Sequence, residues 1–169
     1  GGVGLMGLAA AKALHDGPVI AIDVSAEKRD AALARGAAHA LDPTNGDAIT
    51  AFIAETGGAY AAIDFVGSSD TFNLATQIVR RGGKAVIVGL YGGAATLPVP
   101  SLPFRALTIM GSYVGSLDQA RRLIAMMRDG KIAAPPIQTR PLFAGANAAL
   151  KDLRDGKVVG RLVLTPDGA

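Results

Sequence analysis

The sequence predicts a doubly wound α/β fold, in which helices cover both faces of a mostly parallel β-sheet. Short apolar runs rich in branched residues alternate with segments of about 10 to 15 residues that have helical composition, which is typical of successive βαβ units. A glycine cluster at residues 1–7 stands at the start of the first helical segment. With 169 residues, of which 50% are hydrophobic, the chain can bury one ordinary core.

Local signals predict the elements of the first part of the chain. Residues 5–14 are good helix formers, and Gly17 and Pro18 close that helix. Ser25 can cap the next helix, which ends at Gly36. The elements that follow the first helix are predicted as strand 19–24, helix 25–35, strand 38–41, helix 47–55, strand 61–66, helix 70–80, strand 84–90 and strand 107–112.

The pattern changes after Ser116. Ser116 and Gln119 have the spacing of a capping box, and the apolar residues that follow recur on one helical face until Gly130. The remaining elements are predicted as strand 137–142, helix 147–154 and strand 161–165.

Composition argues against several kinds of site and partner. Cysteine is absent, which removes disulfides and cysteine zinc ligands, and we interpret His15 and His39 as surface or packing residues. The net charge of +3 comes from scattered basic residues. Since Arg80, Arg81 and Lys84 are interpreted as charges near a helix C-terminus, we expect no nucleic-acid partner. No apolar stretch approaches the roughly 18 residues of a membrane span and no targeting signal is recognisable, so we expect a cytoplasmic protein.

The glycine cluster has the spacing of a dinucleotide-binding loop. Gly2, Gly4 and Gly7 match G-x-G-x-x-G, and Asp23 ends the strand after the first helix. Glycine lets main-chain N–H groups and the positive end of the helix dipole approach a pyrophosphate. A carboxylate at Asp23 can accept hydrogen bonds from the adenosine ribose and repels a 2′-phosphate, which favours NAD over NADP. A tight turn or close helix packing would also use these glycines, so the motif alone leaves both interpretations open.

Seven segments together resemble a known family. They are GGVGLMG, IDVS, RGAAHALDP, IDFVGS, RRGGKAVIVGL, GSYVG and LRDGKVVGRLVL, and in this order they span essentially the whole chain. They resemble the zinc-type, medium-chain alcohol dehydrogenases. The loop of that family usually reads G-x-G-G-V-G, which would make Gly1, Gly2 and Gly4 its last three glycines and leave Gly7 as a small helix residue that packs closely on the sheet.

The resemblance implies a fold and a domain division. It implies a Rossmann-type doubly wound parallel sheet of order 3-2-1-4-5-6 that lacks its first strand here, because that strand would precede the loop. Residues 1–113 would form the dinucleotide-binding domain, and residues 114–169 would be a C-terminal segment that belongs to the catalytic domain.

The resemblance also implies which residues contact NAD. The glycine loop and Arg161 would lie near the pyrophosphate, and Asp23 and Lys28 near the adenosine ribose. Three later segments would form the wall around the adenosine and ribose, the main chain beside the nicotinamide and a contact to its carboxamide. The implied contact residues are Gly1, Gly2, Val3, Gly4, Asp23, Val24, Lys28, Phe65, Val66, Ser68, Val88, Gly89, Leu90, Ser112, Val114 and Arg161.

The chemistry implied by the resemblance is hydride transfer between an alcohol or carbonyl substrate and NAD. In such enzymes a zinc ion held by cysteine and histidine polarises the substrate oxygen. The family's zinc ligands lie upstream of the loop, so no catalytic or metal-binding residue is assigned within this chain, and the chain by itself is expected to be inactive. An apolar face left without the main body of the catalytic domain would be open to a partner. The family also implies a homodimer, or a higher homo-oligomer, through the edge strand at residues 107–112.

Two other functions remain open at this point. A zinc-independent quinone or enoyl reductase of the same superfamily shares the GGVG loop but typically uses NADPH, which Asp23 disfavours. A noncatalytic dinucleotide-sensing module would need no zinc ligands. The sequence leaves the identity of the substrate undetermined.

Overall fold

The structure is a computed structural model, and it describes residues 1–166. The last three residues of the predicted segment 114–169 therefore lie outside the described residues. Helices and strands alternate throughout. Their bounds are α1 (Gly2–Leu14), β1 (Ile20–Ile22), α2 (Ala26–Ala34), β2 (His39–Leu41), α3 (Gly46–Thr56), β3 (Ala59–Asp64), α4 (Ser69–Ile78), β4 (Val79–Ile87), α5 (Ser101–Arg105), β5 (Thr108–Gly111), α6 (Leu117–Arg128), β6 (Ile137–Pro141), α7 (Leu142–Arg154) and β7 (Arg161–Thr165).

The chain divides into two compact units. The first unit joins residues 1–40 to the segment that begins at Leu117, and the second unit contains Leu41–Ser116. The domain division at residues 113 and 114 stays a prediction about the family's architecture.

Strand pairing follows the predicted doubly wound pattern. β1 pairs with β2, and the second unit holds a three-stranded sheet in the order β3-β4-β5. Both pairings in that sheet are parallel, as is the pairing of β6 with β7 in the first unit. In the Rossmann order 3-2-1-4-5-6, β1 and β2 correspond to strands 2 and 3, and β3, β4 and β5 correspond to strands 4, 5 and 6. The α/β fold class is confirmed.

Polar side chains cap the N-termini of three of the helices. The Ser25 hydroxyl accepts a hydrogen bond from the Lys28 N–H at 3.4 Å, and the Asn45 side chain accepts from the Ala48 N–H at 3.1 Å. Ser68 begins α4 in a capping box, in which its partner is a threonine instead of the more common glutamate. These caps satisfy N–H groups that have no partner within the helix.

Each unit has its own small apolar core. In the first unit Leu5 and Leu8 of α1 pack with Ala32 and Ala37, and Val19, Ala21 and Val159 border them. In the second unit the buried apolar residues come mostly from α4 and β4, and they include Ala75, Ile78, Val79, Ala85 and Leu107. None of the helices within residues 1–166 combines the length and apolar character needed to cross a membrane.

The predicted end of the helix at residue 80 was wrong, because α4 ends at Ile78, and Arg80, Arg81 and Lys84 belong to β4, which follows it directly. Arg105 from α5, a short helix that the sequence analysis did not predict, caps that helix end instead. Its guanidinium donates to the carbonyl oxygens of Thr76 and Val79 at 2.7 and 2.6 Å. These bonds satisfy carbonyls that the end of α4 leaves without helical partners.

The predicted start of the last helix was also wrong. α7 begins at Leu142, directly after Pro141, rather than at residue 147. The predicted strand therefore ends one residue early, at Pro141. Short apolar runs such as residues 142–146 do not distinguish strand from helix by periodicity.

Candidate functional site

The predicted cofactor contacts fall into two sets, one in each unit. The first, called the acid–cation set, lies in the first unit and consists of Gly1, Gly2, Val3, Gly4, Asp23, Val24, Lys28 and Arg161. The second, called the strand-end set, lies in the second unit and consists of Phe65, Val66, Ser68, Val88, Gly89, Leu90, Ser112 and Val114.

The acid–cation set begins at the N-terminus of α1. Gly1 is the N-cap residue, its carbonyl accepts the Leu5 N–H at 3.0 Å, and it has no side chain with which to cap the helix. The first turn contains no acidic residue. The partial positive charge of this helix end, together with its N–H groups, is suited to an anion such as a phosphate. Gly7 lies within α1 and is half-buried.

Arg161 lies against the first turn of α1. A Cβ atom on the buried Gly2 would be 2.5 Å from the carbonyl oxygen of Gly160 and 2.7 Å from Cδ of Arg161. The Arg161 N–H donates to the Pro136 carbonyl at 2.8 Å, which ties the start of β7 to the residues before β6. Only glycine at position 2 leaves room for this approach, so the cation and the helix N-terminus are neighbours.

Asp23 lies directly after β1 and is fixed in a turn. Its Oδ1 accepts a hydrogen bond from the Ser25 N–H at 3.0 Å, and Arg29 donates to the main-chain oxygens of Asp23 and Val24 at 2.8 and 3.0 Å. Its Oδ2 is 3.9 Å from the nitrogen of Gly1. The carboxylate remains 29% exposed. A partly solvent-exposed carboxylate therefore lies beside the start of α1.

Three charged side chains affect the pKa of the Gly1 amino group. Burial lowers the pKa of the Gly1 amino group, and the nearby Asp23 carboxylate opposes this effect. Lys28 and Arg161 lower that pKa further because they are positive charges close to it. Asp23, Lys28 of α2 and Arg161 of β7 therefore all act electrostatically at the N-terminus of α1.

The strand-end set follows the carboxyl ends of three parallel strands. Asp64, the last residue of β3, is opposite Ile87 in β4, and Ile87 is opposite Gly111 in β5. The residues that follow each strand therefore leave the sheet side by side. Ligands of open α/β sheets bind at this edge.

Main-chain hydrogen bonds join the segments of the strand-end set. The N–H groups of Val88 and Gly89 donate to the Asp64 carbonyl at 2.9 and 3.0 Å. Further main-chain bonds run from Tyr91 to Val66 at 3.0 Å, from Gly92 to Gly67 at 3.0 Å and from Ser112 to Ile87 at 2.9 Å.

Two glycines allow these segments to touch. A Cβ on Gly67 would overlap the carbonyl group of Gly89, and a Cβ on Gly89 would overlap the main chain of Val66. Gly67 also has a φ of +73°, a conformation that favours glycine. Large apolar side chains of the set remain exposed, with Leu90 at 78% and Val114 at 80%.

Sequence reasoning missed Asp64, Thr71 and Arg29. Asp64 and Ser68 belong to the IDFVGS segment, and Thr71 stands three residues after Ser68, so a capping signal was present in the sequence. The contact of Arg29 with the Asp23 turn has no comparable local signal.

No group of three or more histidine, cysteine, aspartate or glutamate side chains that could hold a metal ion occurs within residues 1–166.

Comparisons with known proteins identify the family. A family model described as zinc-binding dehydrogenase matches residues 2–129. The chain belongs to this family. The predicted resemblance is thereby confirmed.

Two curated relatives illustrate the similarity. An NAD-dependent alcohol dehydrogenase of Sulfurisphaera tokodaii is 30% identical over 98% of this chain and 48% of its own length. An alcohol dehydrogenase of Geobacillus stearothermophilus is 32% identical over 97% of this chain and 48% of its own length. The chain spans about half the length of the curated relatives it matches.

A solved structure supports the fold assignment. The alcohol dehydrogenase of Aeropyrum pernix superposes with a TM-score of 0.90 and 31% sequence identity. The match covers 98% of this chain and 48% of that protein.

Proposed function

We propose that this chain is the NAD-binding portion of a zinc-dependent alcohol dehydrogenase-like oxidoreductase. The whole protein would transfer hydride between an alcohol or carbonyl substrate and NAD. The proposal rests on one observation above all, which is the partly exposed Asp23 carboxylate fixed beside the N-terminus of α1. A relative described as an NAD-dependent alcohol dehydrogenase supports it.

The donor set of the first unit fits the adenosine half of NAD. The free lone pairs of Asp23 can accept hydrogen bonds from the ribose hydroxyls, and its negative charge opposes a 2′-phosphate. The N-terminus of α1 and the Arg161 guanidinium offer N–H donors and positive charge to the pyrophosphate. Lys28 adds a second cation to the same region.

The strand-end set offers a different kind of contact. Its main chain is held in place by bonds between neighbouring segments, and its exposed side chains are mostly apolar. We propose that Phe65, Val66 and Ser68 border the adenosine and ribose, and that the main chain of residues 88–90 and of Ser112 and Val114 contacts the nicotinamide end. Bound NAD supplies the hydride acceptor, and these residues orient its ring.

Within residues 1–166, no group of three or more histidine, cysteine, aspartate or glutamate side chains could hold a zinc ion. The sequence has no cysteine, and its two histidines are far apart in sequence. We therefore propose that the zinc ligands of the whole protein lie outside this chain, and no step of the reaction is assigned to residues within it.

We also propose a homodimer, or a higher homo-oligomer, through the strand predicted at residues 107–112. β5 is the last strand in the order β3-β4-β5, and the side chains of Thr108 and Met110 are exposed on it. An edge strand with unpaired main-chain groups can extend its sheet by pairing with a second copy.

Calorimetric titration of the full chain with NADH and with NADPH tests the cofactor proposal. Tighter binding of NADH is the expected result. Tighter binding of NADPH would favour the quinone or enoyl reductase alternative, and binding of neither would contradict the proposal.

A further inference from the structure

We infer that Asp64 is a positioning residue for the cofactor-binding segments of the second unit, holding two neighbouring segments of the strand-end set at once. This inference rests on the proposed function and deepens it, because it assigns a role to a residue that is not itself expected to touch NAD. Asp64 is the last residue of β3 and is only 6% exposed.

The Asp64 carboxylate holds the segment after β3. Its Oδ1 accepts hydrogen bonds from the N–H groups of Val66 and Gly67 at 2.8 and 2.9 Å. Its Oδ2 accepts from the Thr71 hydroxyl at 2.8 Å. A buried carboxylate is costly unless hydrogen bonds replace its hydration, and three donors serve it here. Because the loss of any of these three hydrogen bonds would be costly, they hold the segment after β3 in one conformation.

The Thr71 hydroxyl extends this hold to Ser68. Threonine has a single hydroxyl proton, and the carboxylate at 2.8 Å is its strongest acceptor. Its oxygen then accepts the Ser68 N–H at 3.0 Å and the Ser68 hydroxyl proton at 3.0 Å. The Ser68 hydroxyl oxygen in turn accepts a hydrogen bond from the Thr71 N–H at 3.2 Å. The Asp64 carboxylate thereby sets the direction of both hydroxyl hydrogen bonds, from Ser68 to Thr71 and from Thr71 to Asp64.

The Asp64 main chain holds the segment after β4. Its carbonyl oxygen accepts the N–H groups of both Val88 and Gly89. Since Gly67 and Gly89 lie in contact, a displacement of either segment displaces the other. One residue therefore fixes main chain in two segments that we propose to bind the cofactor. Segments ordered before binding lose less conformational entropy when the ligand arrives, which increases affinity.

Asp64→Asn tests this role. Asparagine can still accept from Val66 and Gly67 through its oxygen, but it presents N–H groups to a Thr71 oxygen that already accepts from Ser68. The Thr71 proton must then turn to the Ser68 carbonyl, 3.2 Å away, and one of the three donors around the Thr71 oxygen loses its acceptor. We expect the Kd for NADH to rise about tenfold, because a polar group in a buried network loses its proper partner. Asp70→Asn makes the same chemical change on an exposed residue of α4 and should leave the Kd unchanged.

Thr71→Val provides a second variant that retains the carboxylate and removes only the hydroxyl. It should weaken NADH binding in the same direction, whereas Thr71→Ser, which keeps a hydroxyl, should restore binding. All titrations are made at a temperature at which urea unfolding shows each variant to be folded. A lower unfolding midpoint with an unchanged Kd in both Asp64→Asn and Thr71→Val would reduce the role to stability and overturn the inference.

Hydrogen exchange separates this inference from the proposed function. If the parent chain does not bind NADH, the proposed function fails, but exchange still measures the order of the segments. We expect the amides of Val66, Gly67, Val88 and Gly89 to exchange about tenfold faster in Asp64→Asn than in the parent chain, while the amide of the buried Ala85 stays protected. Unchanged exchange at all four amides would overturn the inference independently of any cofactor.

Discussion

The two sets of predicted cofactor contacts are built in different ways. In the acid–cation set, charged side chains from α2, β7 and the turn after β1 converge on the start of α1. In the strand-end set, main-chain hydrogen bonds and two glycines hold neighbouring segments together. Side-chain substitutions in the first set should therefore change binding with little effect on folding. Changes at the contacts between segments in the second set should change the fold itself.

The largest expected effect is on stability and comes from Gly67→Ala. The new Cβ would overlap the Gly89 carbonyl group and would also force alanine into a positive φ. We expect the free energy of unfolding to fall by about 3 kcal/mol or more, measured by urea denaturation followed by circular dichroism.

Two further glycine variants separate the effect of the positive φ from the effect of the steric overlap. Gly57 has a similar φ of +74° and open space around it, so Gly57→Ala measures the strain alone and should cost about 1 kcal/mol. Gly89→Ala, which lacks a positive φ, measures the overlap alone. Equal destabilisation by Gly57→Ala and Gly67→Ala would contradict the close contact between the two segments.

A smaller effect, on binding instead of stability, is expected from Arg161→Ala. The side chain is exposed, so unfolding should change little, but NADH affinity should fall about tenfold through the loss of a charge-assisted contact to the pyrophosphate. Arg161→Lys should recover part of the loss, since it keeps the charge without the planar fork.

Salt provides a check on Arg161. The difference in Kd between the parent chain and Arg161→Ala should shrink as ionic strength rises, because salt screens exposed charges. A variant that binds NADH as tightly as the parent at low salt would remove Arg161 from the acid–cation set.

The smallest effect is expected at the edge strand. Met110→Lys places like charges near each other if two copies of β5 pair, and should weaken self-association about fivefold, as followed by light scattering over a concentration series. Met110→Gln, of similar length but uncharged, is the matched control. A clean monomer of the parent chain at high concentration would contradict the proposed dimer.

The sequence predicted the fold well where one local signal dominated. The last strand, Arg161–Thr165, has the predicted bounds, and Ser25 begins α2 as expected. For the acid–cation set, the glycines before a helix and the acid after the next strand indicated a dinucleotide site, but a tight turn would use the same glycines, and Lys28 and Arg161 were implied only by the resemblance to the family.

Features that depend on distant residues could not be predicted in this way. The end of α4 is determined by Arg105, which lies far along the chain from the carbonyls it satisfies. The contact between Gly67 and Gly89 depends on the register of β3 with β4. Asp64 resembles an ordinary strand residue in the sequence, and its role becomes visible only when the two segments are seen together.

The most direct test of the central claim is the ratio of NADPH to NADH dissociation constants in the parent chain and in Asp23→Ser. Asp16→Ser, which removes an exposed acid between α1 and β1, serves as the control. We predict that the parent chain and the control prefer NADH, and that Asp23→Ser lowers the ratio about tenfold by removing both the ribose acceptor and the repulsion of the 2′-phosphate. A ratio that Asp23→Ser leaves unchanged, or a parent chain that prefers NADPH, would contradict the assignment of Asp23.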